Sequence, residues 1–148
     1  MMDYKEILEK CKERYGEKVY QPEGKEEFWF SPEILLDLFQ FIKTDTEYQF
    51  LLDITAVDYP DSFQMVYHLM DLTDASLLKL CADLDKNEPK ISSLCPVWKA
   101  ANVMEREVFD LMGIIFEDHP NLKRILCPDD FEGHPLRKDY ILPPVARR

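Results

Sequence analysis

The residues best suited to chemistry lie between Glu105 and Leu126, in the segment EREVFDLMGIIFEDHPNLKRIL. This segment combines carboxylates, an arginine, a histidine and a basic pair with a run of apolar residues. Such a set could form a general acid–base site, a metal site or a charged surface that binds another protein. The secondary-structure elements that position these side chains indicate which of these three kinds of site the sequence forms.

A helix is predicted over residues 97–112, because Pro96 suits a helix start and Gly113 suits a helix end. Placed on a helical wheel, the apolar side chains fill about half of the circumference, and Glu105 lies within that half. Arg106 points about 100° away from Glu105. The polar half also contains Lys99, Asn102, Glu107 and Asp110. Glu105 is therefore expected to be buried.

The predicted burial of Glu105 requires a partner, because an ionised carboxylate in an apolar environment costs several kcal/mol unless it is paired. Arg124 or Arg137 is the expected partner, since a guanidinium can bind a carboxylate through two hydrogen bonds. The alternative is a general acid with a raised pKa, working beside His119 or His134. An ion pair that fixes the C-terminal tail to the domain is the favoured interpretation.

A metal site is a further alternative. Glu107 and Asp110 share a helical face at i, i+3, and His119 and His134 could complete a metal hydrolase site with them. The sequence has no H-x-x-x-H pair, no C-x-x-C pair, no phosphate-binding glycine loop and no nucleophile elbow. No catalytic site and no metal site is therefore predicted, and free thiols are expected at Cys11, Cys81, Cys95 and Cys127.

The charge distribution narrows the possible partners. The net charge is −11 over 148 residues, whereas residues 119–148 carry six basic and four acidic side chains. An acidic body repels nucleic acid, and the tail is too weakly basic to anchor the chain to a membrane. The sequence has no run of roughly 18 apolar residues and no signal-peptide pattern, so a cytoplasmic protein is expected.

The remaining sequence predicts the elements around this helix. Helices are expected at residues 3–15, ended by Gly16, and from Ser31-Pro32 to about Lys43. Strands are expected at 26–30, 48–59, 63–70 and 77–84, although the last could also be a helix. This order predicts an α+β domain over residues 1–118, with a small, mostly antiparallel sheet that has helices on one face.

Residues 119–148 are predicted to form an extended C-terminal docking tail. They carry five of the ten prolines and show no sustained periodicity. Such a segment cannot pair its own backbone in regular structure, so it drapes over a surface or is disordered. We expect residues 128–148 to be flexible in the isolated chain and protected in a complex.

The segment that begins at Glu105 also resembles a known family. It is similar to the signature of the 30 kDa subunit of the proton-pumping NADH:quinone oxidoreductase, respiratory complex I. The matching positions are Glu105-Arg106-Glu107, Asp110, Leu111-Met112, His119, Lys123 and Ile125-Leu126. The blocks LLDITAVDYP (51–60) and FEGHPLRKDY (131–140) resemble the family's central strand and its next block. The expected signature and interface residues are Glu105, Arg106, Glu107, Asp110, His119, Lys123, Arg124, His134, Arg137, Lys138 and Asp139.

The resemblance implies a non-catalytic, peripheral-arm subunit that supports assembly and electron transfer from NADH to quinone. It implies no cofactor in this chain, FMN and iron–sulfur clusters in neighbouring subunits, and quinone as the substrate of the complex. The partners would be a large hydrogenase-like quinone-site subunit and iron–sulfur subunits, on the cytoplasmic side of the membrane. The alternative is the equivalent subunit of a membrane-bound energy-converting hydrogenase.

Overall fold

Residues 3–142 are described by a computed structural model, in which helices pack against a mixed β-sheet. The helices of this part of the chain are α1 (Tyr4–Tyr15), α2 (Leu35–Asp45) and α3 (Ala101–Met112). Its strands are β1 (Val19–Tyr20), β2 (Phe28–Phe30), β3 (Phe50–Asp58), β4 (Ser62–Met70), β5 (Leu77–Asp85), β6 (Lys90–Ser92) and β7 (Ile115–Glu117). The predicted α+β class is confirmed.

The main sheet has the strand order β1-β2-β5-β4-β3. The β2–β5 pair is parallel and the other three pairs are antiparallel, as predicted for a mostly antiparallel sheet. Residues 77–84 form a strand, not a helix. This strand pairs with β4 over its whole length, and that pairing resolves the ambiguity of its apolar pattern.

The core lies on the helix-covered face of the sheet. Strand β4 contributes the predicted alternating set Phe63, Met65, Tyr67 and Leu69, each at most 1% exposed. Helix α2 contributes Leu35, Leu38, Phe39 and Ile42, which are fully buried. The Phe39 ring lies 5.0 Å from the Tyr67 ring, in a tilted arrangement favourable for aromatic pairs. This packing fixes α2 on the sheet.

The first helix follows its local sequence signals, and the second follows them only in part. The Asp3 carboxylate accepts a hydrogen bond from the Glu6 amide at 2.9 Å, and Gly16 ends α1 with a φ of 63°. Ser31 makes no side-chain capping bond. Instead, a 3₁₀ turn at Pro32–Ile34 leads into α2, which extends to Asp45 beyond the predicted end at Lys43.

The start of α3 differs from the prediction, because residues 97–100 form turns and the helix begins at Ala101. The amides of Val97 and Trp98 both donate to the Leu94 carbonyl at 2.9 Å. The Trp98 indole donates to the Gln49 carbonyl at 2.9 Å. Pro96 therefore lies inside a turn that begins at Leu94, and Trp98 ties this turn to the residue before β3.

The parallel pair β6–β7 was not predicted from the sequence. It aligns Ile91 with Phe116 and joins the chain before α3 to the chain after it. Gly113, with a φ of 75°, ends α3 as predicted and directs the chain into β7. Both ends of α3 are thus held by one short ladder. Within residues 3–142, no helix is both long enough and apolar enough to cross a bilayer.

Candidate functional site

Helix α3 carries two fully buried carboxylates, Glu105 and Asp110, each 0% exposed. They are five residues apart, so they point to different sides of the helix, about 140° from one another. Glu105 was predicted to be buried, and the prediction is confirmed. Asp110 lies in the polar half of the wheel, and its burial was not predicted.

Neutral donors from the chain before α3 bind Glu105. Its Oε1 accepts a hydrogen bond from the Ser93 hydroxyl at 2.6 Å, and its Oε2 accepts one from the Leu94 amide at 2.8 Å. The Cys95 thiol donates weakly to Oε1 at 3.6 Å. The carboxylate therefore fastens the turn between β6 and α3 to the helix.

His119 also lies beside Glu105, with Nε2 4.0 Å from Oε1. The His119 Nδ1 accepts a hydrogen bond from the Asn121 amide at 2.9 Å, so its proton is assigned to Nε2. Nε2 in turn donates to the Asn102 carbonyl at 3.0 Å. Both ring nitrogens of His119 are therefore used in hydrogen bonds to Asn102 and Asn121, and its 4.0 Å contact with Glu105 is longer than a hydrogen bond.

The predicted arginine partner of Glu105 is wrong. Arg124 binds Asp110 and Arg137 binds the end of α3, while Arg106 points away as expected and donates to the carbonyls of Lys123 and Arg124. Burial raises the pKa of Glu105, and the hydrogen bonds from Ser93 and Leu94 only partly oppose it. The environment thus favours a proton on Glu105.

The raised pKa alone does not make Glu105 a general acid. The side chains of Glu105 and His119 are both 0% exposed, so a substrate could not reach either group without opening of the structure. The charge of Glu105 also contributes, after burial, to raising the pKa of the buried Tyr67 hydroxyl. Glu105 and His119 therefore belong to an internal hydrogen-bonded cluster.

Cys95, Glu105 and His119 place one potential metal donor each within 4.8 Å of one another. Both nitrogens of His119 already take part in hydrogen bonds, with Asn102 and Asn121. A metal on Nε2 would require the loss of the Nε2 proton and a new tautomer, which would break the Asn121 bond. The donor set therefore fits hydrogen bonding better than metal coordination.

The predicted set Glu107, Asp110, His119 and His134 is not brought together as a group of metal ligands among the described residues. Glu107 is exposed, and the Asp110 oxygens bind donors of the following segment. His134 Nδ1 instead lies 3.0 Å from the Asp110 backbone carbonyl. The arrangement gives no support to a hydrolase site built from these four residues.

Asp110 is bound by the chain that follows β7. Its Oδ2 accepts hydrogen bonds from three successive amides, those of Ile125 (3.0 Å), Leu126 (2.7 Å) and Cys127 (2.8 Å). Its Oδ1 accepts one from Arg124 Nη1 at 3.1 Å. Asp110 thus provides hydrogen-bond acceptors for the backbone amides of a turn that has no regular backbone pairing of its own.

The pKa of Asp110 moves in the opposite direction to that of Glu105. Burial by itself raises the pKa of Asp110, but the amides of Cys127, Leu126 and Ile125 outweigh it and hold the pKa below its ordinary value. Arg124 extends the connection, because its Nη2 donates to the Gly133 carbonyl at 2.7 Å and its guanidinium lies over the Phe131 ring. Asp110 is thus an ionised anchor for the tail.

The segment HPLRK, residues 134–138, caps the C-terminal end of α3. The carbonyl of Asp110 faces His134 Nδ1, the carbonyl of Leu111 accepts from the Leu136 amide at 2.9 Å, and that of Met112 accepts from Arg137 Nε at 2.5 Å. These carbonyls have no partners within the helix, and a cation is favourable at this end of the helix dipole.

Two further contacts fix the same segment. The Lys138 amide donates to the buried Asp58 carboxylate at 2.8 Å, which ties the tail to the end of β3. Gly113 leaves room for the tail, because a Cβ there would lie 2.7 Å from both Arg137 Nη2 and His134 Cδ2. Asp58 was not predicted as a site residue, and its apolar strand context gave no signal of this role.

The structure divides the predicted signature residues into two groups. One group is engaged inside the chain through side-chain contacts, and it consists of Glu105, Arg106, Asp110, His119, Arg124, His134 and Arg137. The other group has exposed positions, and it consists of Glu107, Lys123, Lys138 and Asp139. Sequence reasoning missed Ser93 and the Leu94 amide, since a backbone donor leaves no residue-type signal.

Comparison with known proteins gives a consistent result. A sequence model of the family described as respiratory-chain NADH dehydrogenase, 30 Kd subunit, matches residues 28–145. The chain is 52% identical over 110 residues to an NADH-quinone oxidoreductase subunit of Moorella thermoacetica, across 73% of this chain and 74% of that protein. It is 37% identical over 148 residues to the subunit of the same name from Citrifermentans bemidjiense, across 96% and 92%.

Two solved structures share the fold. The trypsin-resistant fragment (1–134) of Nqo5 superposes with a TM-score of 0.67 at 27% identity, covering 82% of this chain and 100% of the fragment. A chain of an archaeal membrane-bound sulfane sulfur reductase superposes with a TM-score of 0.79 at 23% identity, covering 93% and 85%. The second likeness shows the fold alone.

Proposed function

Because the chain belongs to the family of the 30 kDa subunit of respiratory-chain NADH dehydrogenase, we propose that it acts as the 30 kDa-type subunit of an NADH:quinone oxidoreductase. Its role is to support assembly and electron transfer from NADH to quinone, without a catalytic site of its own. The family match over residues 28–145 carries this proposal. The site agrees with it, because the acidic groups most capable of chemistry are used as internal anchors.

The proposed interface is the exposed part of the signature together with the tail. Glu107, Lys123, Lys138 and Asp139 have exposed positions, and none of them provides a side-chain bond that holds the tail. The tail also exposes apolar side chains: Leu126 is 61%, Leu136 is 60% and Ile141 is 85% exposed. Apolar exposure of this extent on a hydrogen-bonded segment is typical of a protein–protein contact.

The partners we propose are a large hydrogenase-like quinone-site subunit and the iron–sulfur subunits of the peripheral arm. FMN and iron–sulfur clusters would be bound by those neighbours and not by this chain. The chain would lie on the cytoplasmic side of the membrane and contact it only through the complex. The domain division at residues 118 and 119, and protection of residues 128–148 in the complex, stay predictions, and residues 143–148 lie outside the described part.

The proposal is tested by purifying the tagged chain from a mild detergent extract of its own cells and identifying its companions by mass spectrometry. We expect iron–sulfur subunits, the large subunit and NADH-oxidising flavin subunits, all absent from an untagged control. A large subunit with a complete pair of nickel-binding C-x-x-C motifs would indicate the hydrogenase alternative. Recovery of a folded monomer alone would contradict both assignments.

A further inference from the structure

An apolar cleft of about 140 Å³ lies between β3 and α3. Its floor is formed by Ile54, Val108 and Met112, which are 5%, 6% and 4% exposed. Its walls are formed by Thr55, Ala56, Glu107, Leu111 and Leu136. A cavity of about this size can hold a six-membered ring, so the cleft has room for one apolar side chain of a partner.

Glu107 is the one acidic residue in the lining of this cleft, and it is exposed. It forms no ion pair with another residue of the described range 3–142. The other two acids of the same helix stretch, Glu105 and Asp110, are fully buried and bound to internal donors. Glu107 is thus an exposed carboxylate beside the apolar floor of the cleft, and it forms no ion pair within residues 3–142.

The apolar surface continues along α3 beyond the cleft. Val103 lies one helical turn before Glu107 on the same face and is 48% exposed. An apolar cleft with a single acid in its lining is complementary to an apolar segment that carries one basic side chain.

The tail completes the cleft. Leu136 is 60% exposed and forms one wall, and its amide is fixed to the Leu111 carbonyl at 2.9 Å. The cleft therefore has its full shape only when the segment 134–138 caps α3. Docking of the tail and binding at the cleft are coupled, because the first creates part of the surface for the second.

We propose that another subunit of the oxidoreductase docks in this cleft, with an apolar side chain on its floor and a nearby lysine or arginine paired with Glu107. This inference rests on the proposed function. A second copy of this chain is a poorer occupant, because two bodies of net charge −11 repel one another.

The first test reverses the charge with Glu107→Lys and uses Glu9→Lys, an exposed position on α1, as the matched control. Recovery of sister subunits with the tagged chain should fall about tenfold for Glu107→Lys, because a basic partner group would then face a like charge. It should stay within about twofold for Glu9→Lys. Equal thermal unfolding of the two isolated variants would confirm that folding is not the cause.

The second test places a photo-crosslinking benzophenone amino acid at position 107 in the assembled complex. We expect a crosslinked peptide from another subunit, with a lysine or arginine near the crosslinked residue. Leu136 of the tail lines the same cleft, so some crosslinking within the chain is expected. Crosslinks only within this chain, only to a second copy or to nothing would overturn the cleft assignment. Equal recovery with Glu107→Lys would overturn it too. Failure of the unaltered chain to recover any sister subunit would instead refute the proposed function.

Discussion

Glu105 and Asp110 are both 0% exposed on the same helix, yet their pKa values move in opposite directions. Glu105 receives bonds from a hydroxyl, one amide and a thiol, and its pKa is raised by burial. Asp110 receives three amides and a guanidinium, and its pKa is lowered although burial alone would raise it. Glu105 is the more deeply enclosed of the two, whereas Asp110 has more donors, one of them a guanidinium. Both differences favour the ionised form more at Asp110 than at Glu105.

The two carboxylates stabilise different segments of the chain. Glu105 holds the turn before α3, a segment that also pairs through β6 and packs on the core. Asp110 holds the segment after β7, which has no strand or helix to stabilise it among residues 118–142. A charge-assisted anchor is stronger than a neutral one, and it is found where regular structure is lacking.

The largest expected effect is the loss of Asp110. Asp110→Ala removes the acceptor of three amides and leaves Arg124 unpaired, so we expect the free energy of unfolding to fall by about 3–5 kcal/mol. Urea denaturation measures it. Asp129→Ala, at an exposed acid of the same tail, is the control and should change stability by less than about 0.5 kcal/mol. Equal effects would show that Asp110 is no special anchor.

The next effect in size comes from Glu105. Glu105→Ala leaves the Ser93 hydroxyl and the Leu94 amide without an acceptor but strands no cation, so we expect a loss of about 1–3 kcal/mol in urea denaturation. Glu105→Gln keeps the shape of the protonated acid and should cost less than the alanine variant. A Glu105→Ala loss larger than that of Asp110→Ala would reverse the proposed ranking.

Gly113 tests the contact between the helix end and the tail. Gly113→Ala forces alanine to a φ of 75° and brings a Cβ to 2.7 Å from Arg137, whereas Gly24 has a φ of 78° with nothing within 4 Å. The left-handed backbone costs roughly 1–2 kcal/mol in both variants. Thermal denaturation should show a larger loss for Gly113→Ala than for Gly24→Ala. Equal losses would mean that the tail does not pack closely at Gly113.

The smallest effect is a pH dependence of opposite sign at the two acids. A raised pKa in the folded state means that the contribution of Glu105 is full below the ordinary value of 4.5 and is lost as pH rises through the folded pKa. A lowered pKa means that the contribution of Asp110 is present above 3.8 and is lost as pH falls through the folded pKa.

Urea denaturation of Glu105→Gln and Asp110→Asn between pH 3 and 7 separates the two cases. As pH rises above 4.5, the free energy of unfolding of Glu105→Gln should increase relative to that of the unaltered chain. The destabilisation by Asp110→Asn should shrink below pH 3.8. Parallel pH profiles would contradict the assigned difference in charge.

Helical periodicity was enough to place Glu105, because its neighbours on the wheel pack directly against the sheet. The same wheel gave no sign that Asp110 is buried, since what buries Asp110 is a non-periodic segment about 15 residues further along the chain. The need for a cationic partner was recognised, but the partner was assigned to the wrong acid. Sequence shows which residues can pair, whereas the choice depends on where the tail crosses the helix.

The fold shows the same division between local and distant signals. The long strands and the first two helices follow from alternation and periodicity, and α1 follows also from its capping residues. The β6–β7 ladder escaped prediction, because three-residue strands carry too little alternation and their pairing spans the whole of α3. The start of α3 was predicted four residues too early because of Pro96, since a proline suits a loop turn as well as the first turn of a helix.

Hydrogen exchange at the amides of Ile125, Leu126 and Cys127 tests the difference between Asp110 and Glu105 most directly, because these amides donate to Asp110. We expect slow exchange in the unaltered chain, exchange faster by about tenfold or more in Asp110→Asn, and no change in Glu105→Gln. Slow exchange in Asp110→Asn, or equal acceleration in both variants, would contradict an ionised Asp110 as the anchor of the tail.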